Sequence, residues 1–369
     1  MKKELLSYIR RRLWIIILLA VSLIIYRLAF LFPDTTESVY SRAIYPFFAN
    51  IWSCLTGLIS FSLGEIGLYA FFSALVFYFF YIFSSFFIRG KRWFLFLKRL
   101  ISLICVIALL GSCFILNWAI NYARLPLSST MGISTEKYSA QELFEVSMLL
   151  ADRANELRGK VKEDENGVFV LSSSKDEILH EVGDVYKSCA PDYLKKVSSN
   201  APAKGVLTKN LLSTFETTGI FSPFTYEANL NMQMPESYFP STVAHEYAHL
   251  QGYAREDEAN FISWYVARKS DNADFAYSAY LLALTYSINS LYSSSNELYK
   301  QLYENISDGV LRDLRDNSAY WKDFDTQLSE KANDVYSSYL KSSGVSDGNK
   351  SYGRMLDLIL ALYKSGETI

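Results

Sequence analysis

Three long apolar runs, followed by a stretch in which apolar and polar residues recur at helical spacing, divide this chain into a membrane third and a larger remainder. Residues 13–32 are apolar and broken only by Arg27, residues 66–88 are rich in Phe and Tyr, and residues 100–119 form the third run. Each reaches the roughly 20 residues a helix needs to cross a hydrocarbon layer. Three such runs in succession predict three transmembrane helices in a membrane domain covering residues 1–120. Between the first two, residues 33–63 mix aromatic clusters such as Tyr45-Pro46-Phe47-Phe48 with small polar residues. That mixture suits an amphipathic segment lying on the membrane surface. A full crossing by residues 47–63 would send the basic loop after Ile88 to the far side, against the charge rule.

Residues 121–369 read as a mostly helical domain with a small β element, so the fold class is mainly α. Ser139 with Glu142, and Ser174 with Glu177, are capping-box pairs that open amphipathic helices. Residues 168–171 are a strand candidate, and residues 219–234 look extended because Pro223, Asn229 and Asn231 interrupt helical periodicity. Helical patterns return over 255–269, 274–293 and 294–339, a Ser-rich loop covers 341–348, and a last apolar helix runs over 352–363.

Charge follows the same division. Residues 1–120 hold 12 basic and 4 acidic residues, a net of +8; the totals of 36 and 38 leave 24 basic and 34 acidic, a net of −10, for the rest. Basic residues lie before the first run (Lys2, Lys3, Arg10, Arg11, Arg12) and between the second and third (Arg89, Lys91, Arg92, Lys98, Arg99). Cationic loops stay in the cytoplasm, which predicts a multi-pass protein of the bacterial cytoplasmic membrane, with a cytoplasmic N-terminus and an extracytoplasmic C-terminal domain. The first run is too long for a cleavable signal core and has no small-x-small site close behind it. An acidic outer domain excludes nucleic acid as a partner. Cys189 is the one cysteine of that domain, so no disulfide can form within it.

The chemistry is concentrated in His245-Glu246-Tyr247-Ala248-His249. Residues four apart share a helix face, so both imidazoles can aim at one metal ion while Glu246 stands beside them as a general base. This is the H-E-x-x-H arrangement of zinc hydrolases. Pro240-Ser241-Thr242 supplies the helix start and Gly252 a left-handed stop. A catalytic zinc takes three protein ligands and leaves one position for water. The remaining histidine, His180, lies in a polar helical stretch and reads as solvent-facing, so the third ligand is sought among the carboxylates of residues 255–260.

In that segment the sequence resembles the gluzincin-type peptidases, whose second helix carries Glu-x-x-Ala-Asp or a close variant. The resemblance makes Glu256 the third ligand, Ala259 the small residue where the two helices approach, and Asn260 the brace of a ligating histidine. Only six residues separate His249 from Glu256, closer than in many gluzincins. The metzincin spacing would instead fall on Arg255, which stays protonated and cannot ligate. Glu258 is the alternative ligand. The strings PFTYEANLNMQMP and STVAHEYAHLQGYAREDEANF, with Asn117-Trp118-Ala119-Ile120-Asn121-Tyr122 leaving the last apolar run, resemble an uncharacterised family of bacterial membrane proteins assigned to the zincin-like peptidases.

Zincins lay substrate along an edge strand beside the metal helix. On that pattern Glu227 and Asn229 are candidates for the cleft wall, and Tyr277 or Tyr280 for oxyanion stabilisation. The expectation is a membrane-anchored zinc metallopeptidase with Zn2+ as cofactor and a peptide or protein as substrate. The alternative is a catalytically inactive envelope scaffold. An intramembrane protease is disfavoured by Gln251, Arg255 and Asp257 around the motif, which would sit in lipid only at high cost.

Overall fold

A computed structural model describes residues 1–369 except Ser199 and Asp347, with the backbone alone at 349–351. The three predicted spans are helices Leu13–Leu31, Leu63–Phe83 with a 3-10 extension to Phe87, and Arg92–Asn117, each long and apolar enough to cross a membrane. The third span starts at Arg92, ahead of the apolar run. A formed helix adds one backbone hydrogen bond per residue whatever the polarity of the side chain, so Lys98 and Arg99 are carried inside it. Their outward surfaces show Ile17, Ile24, Phe72, Phe77 and Ile107, the apolar face a lipid chain solvates. These helices mark a membrane protein.

The spans alternate in direction, so the end of the first, the start of the second and the end of the third lie together. At the opposite end, the helix Lys2–Arg10 packs on the third span, Tyr8 hydrogen-bonds Ser102, and Arg12 and Lys98 lie 3.6 and 4.9 Å from the Tyr8 ring. The basic residues of both predicted clusters gather there.

Residues 33–57 form a short helix, a π-helical stretch Thr36–Ile44 and the helix Tyr45–Gly57. That last helix is two-faced. Tyr45, Ala49, Ser53 and Thr56 are buried, whereas Phe47, Phe48, Ile51, Trp52 and Leu55 are exposed. Its 13 residues rise about 20 Å at 1.5 Å each, too little to cross a bilayer.

The remainder is mostly helical. Both predicted capping boxes close, Ser139 with Glu142 opening Ala140–Arg158 and Ser174 with Glu177 opening Lys175–Cys189. Two two-residue strands, β1 (Lys162–Glu163) and β2 (Phe169–Val170), make an antiparallel pair where one strand was expected. The stretch expected to be extended is a hairpin of β4 (Gly219–Ser222) and β5 (Glu227–Leu230), with β3 (Lys204–Gly205) added parallel on the far side of β5. Behind it come the histidine helix (Phe239–Leu250), the glutamate helix (Glu256–Ala267) and the long helix Ala273–Ser294. The pattern at 294–339 resolves into Asn296–Asn305, Asp308–Lys322 and a tyrosine-bearing helix Gln327–Ser342. Of the Ser-rich segment 341–348, Asp347 lies outside the described residues. The last helix is Met355–Lys364.

The three-stranded sheet is a partition. Ile220 pairs with Asn229 and Ser222 with Glu227, and cross-strand partners share a face. That face meets the second span. Glu227 accepts from the amides of Gly64 at 2.7 Å and Leu63 at 3.3 Å and pairs with Lys204, while Asn229 Oδ1 accepts from Ser62 at 2.5 Å. The span's first amides have no partner within their own helix, and a carboxylate at that positive end satisfies them. The opposite face, with Gly219, Phe221, Ala228 and Leu230, packs on the histidine helix.

Candidate metal centre

All twelve residues of the histidine helix are buried. Pro240 sits at its first turn, Ser278 Oγ accepts from Ser241 N at 3.0 Å, and Tyr186 donates to Ala244 O at 2.7 Å. At its end Tyr45 donates to the carbonyls of His249 and Leu250 at 3.2 and 3.1 Å, closing off groups the helix leaves unpaired. Gly252 then turns the chain with φ +88°, and a Cβ there would lie 3.0 Å from the Tyr45 ring. A side chain there would be strained by the backbone and crowded by the ring. The turn carries the Tyr253 carbonyl back to His249 Nδ1 at 2.6 Å. A carbonyl only accepts, so the ring proton sits on Nδ1 and the Nε2 lone pair is left for a ligand.

Arg255, extended at φ −82° and ψ 133°, opens the glutamate helix and turns Glu256 onto the histidines. Glu256 Oε2 lies 3.1 Å from His245 Nε2 and 3.4 Å from His249 Nε2. Ligand atoms of His245, His249 and Glu256 all fall within 4.8 Å of one another. Donors around a tetrahedral zinc, bound at about 2.0–2.2 Å, stand about 3.3 Å apart. The residues present therefore fit a zinc ion in both donor chemistry and spacing. His245 Nδ1 is buried and without a hydrogen-bond partner among the described residues.

Burial by itself opposes charge on His249, but the Glu256 carboxylate outweighs it and lifts the imidazole to about 9. Burial likewise pushes Glu256 up, and the two imidazoles bring it well below the usual carboxylate range. Without metal the centre is an ion pair. Glu246 is raised above its ordinary value by burial, with His245 and His249 pulling the other way and the Phe221 amide donating to it. A Cβ on Gly219 would come within 2.6 Å of Glu246 Cγ, so only glycine lets the strand approach this carboxylate.

Several residues lie elsewhere than the sequence led one to expect. Asn260 does not brace a histidine; its Nδ2 donates to Tyr286 Oη at 3.1 Å, and the bracing acceptor is the Tyr253 carbonyl. Glu258 turns away from the centre, accepting from Leu127 N at 2.7 Å and Arg255 at 2.6 Å. Glu227 and Asn229, both 3 % exposed, lie on the membrane face of the sheet and not along a cleft. Tyr277 donates to Asp313 and stacks on Phe169, and Tyr280 packs edge-on against Trp264. His180 is exposed on its helix, as expected.

The phenols around Glu256 are ones the sequence did not single out. Tyr336 donates to Glu256 Oε1, and Tyr352 stands 3.5 Å from the Tyr336 hydroxyl. Burial and the nearby carboxylate push both phenols well above their ordinary value, so they remain donors. Trp118, just past the third span, meets the His249 ring edge-on at 5.8 Å. Arg124 holds Gly252 O at 2.9 Å and Glu37 through two bonds of 2.8 Å. The Asn117-to-Tyr122 string leaving the last apolar run was the one visible sign of this contact.

No curated protein and no solved structure matches the chain. Residues 40–360 match the family described as protein of unknown function (DUF3810), and the chain belongs to that family.

Proposed function

We propose that the protein is a membrane-anchored, zinc-dependent peptidase of the zincin-like type, hydrolysing peptide bonds on the outer face of the cytoplasmic membrane. The observation that carries this reading is the convergence of His245, His249 and Glu256, drawn from two helices, with Glu246 beside them and outside the ligand set. A zinc ion held there would act as a Lewis acid on the scissile carbonyl and on water. The chain supplies the rest. Glu246, its basicity raised by burial, takes the proton of the attacking water and hands it to the departing amine. Gly219 and Phe221 face away from β5, because Asn231 N donates to Thr218 O and the pairs of an antiparallel ladder alternate. Their backbone groups point to the side on which Glu246 stands, and a substrate strand pairing there would pass the base. Tyr336 and Tyr352 bring protonated phenols to the rim.

The basic ends of the spans lie opposite the domain, which supports an outward-facing centre by the charge rule. A peptide or protein is the substrate, the bilayer the other partner, and nucleic acid is not one.

Glu246→Gln in the full-length protein tests the mechanism. Hydrolysis of a peptide library falls by at least about 100-fold while bound zinc, measured by elemental analysis, stays at the wild-type level. Undiminished hydrolysis removes Glu246 from the reaction. Zinc binding with no hydrolysis by the wild type favours the scaffold reading.

A further inference from the structure

The position of the centre relative to the spans restricts what can reach it. β4 starts at Gly219 against Glu246 and ends at Ser222, whose Cβ lies 3.2 Å from where a Cβ on Gly64 would stand, in the first turn of the second span. The three steps from Gly219 to Ser222, at about 3.4 Å each, cover roughly 10 Å between general base and span. No linker intervenes elsewhere either. Phe114 of the third span meets Tyr339 edge-on at 6.1 Å, one turn from Tyr336, and Gly344 lies against Phe30 at the end of the first span. Leu207 and Thr208, which follow β3, donate their amides to Glu65 in the second span. Apolar side chains stand exposed near the start of this span: Leu207 just after β3, and Ile220 and Phe224 on the β4–β5 hairpin, are 69 %, 54 % and 49 % exposed. Such side chains beside the start of a span fit lipid headgroups and an emerging chain better than open water.

We infer, on the basis of the peptidase reading, that the substrates are polypeptides anchored in the same membrane and cut in the first residues outside it. A chain leaving the bilayer next to the second span pairs along the outer edge of β4 and presents a bond to Glu246 within about 10 Å of the surface, three or four extended residues. Peptide bonds far along a tail reach the same edge only by folding back.

The test uses full-length zinc-loaded protein in liposomes with a co-reconstituted probe. The probe is a single transmembrane helix followed by a tail of identical repeats of one library-selected cleavable sequence, about 40 residues in all, or roughly 130 Å when extended. Cut positions are read by mass spectrometry. Cuts concentrated at least tenfold in the membrane-proximal repeat support the inference. Even cutting along the tail, or equal cutting of the same tail supplied without its anchor, overturns it and leaves the peptidase reading intact. Absence of cutting in every arm by zinc-loaded protein overturns the peptidase reading, and this inference with it.

Discussion

The two faces of the three-stranded sheet each hold buried carboxylates, and they satisfy them differently. On the membrane face Glu227, 3 % exposed, has a fixed cation in Lys204 and two span amides as partners. On the other face Glu246 and Glu256, both 4 % exposed, have two imidazoles, a phenol and one strand amide. A buried charge needs compensation wherever it lies. Where lysine and helix amides supply it completely, the group belongs to the architecture. Where the partners are imidazoles, which can surrender a proton, the same burial leaves an opening for a cation.

The contrast breaks most sharply if Glu227 is removed. Glu227→Ala leaves the buried Lys204 without its counter-charge, and stability is expected to fall by about 3–5 kcal/mol, read as thermal unfolding in lipid nanodiscs. The folded fraction still takes up zinc. A variant of wild-type stability with weakened zinc binding would reverse the roles of the two faces. Glu256→Gln acts on the other side: zinc affinity, measured by chelator competition, is expected to drop by more than about 100-fold, and the metal-free protein also melts lower at neutral pH because it loses the His249–Glu256 pair.

Acidity sharpens the comparison further. His249 is protonated in the metal-free centre up to about 9, above the ordinary histidine value, and zinc binds only the neutral ring. The proton therefore competes, and apparent zinc affinity rises roughly tenfold per pH unit up to about 9 and then levels off. The sign for the empty centre is opposite. The stabilisation from the His249–Glu256 pair is present below the unfolded histidine value and lost as pH rises through about 9. Calorimetry in buffers of different ionisation enthalpy should show close to one proton released per zinc at neutral pH. The smallest effect belongs to Asn260→Ala. Its side-chain hydrogen bond to Tyr286 predicts a stability loss of about 1 kcal/mol and unaltered zinc affinity. A tenfold fall in affinity would restore it as a histidine brace.

What the sequence disclosed follows from how local each signal is. The spans, the capping boxes at Ser139 and Ser174, and the turn from His245 to His249 depend on neighbours within a few positions. Glu256 was reachable by resemblance because it lies close behind the second histidine. Tyr336 and Tyr352 were not, since nothing near them in the chain marks them among 27 tyrosines; only tertiary packing brings them to the centre, as it brings Trp118, whose string was visible but whose contact with His249 was not. Glu227 and Asn229 misled for a related reason. A strand alternates its faces, and without the register a polar residue on β5 reads as lining the cleft when it caps a span.

The cap that Glu227 places on the second span has a practical corollary for anyone seeking crystals. Excising residues 1–120 to obtain a soluble fragment would strip Glu227 of its two amides, Asn229 of Ser62 and the His249 ring of Trp118, and would lay the sheet bare to water. Such a fragment would lose the scaffolding of the centre together with its anchor, so screening should begin with the intact chain in a lipid mimetic.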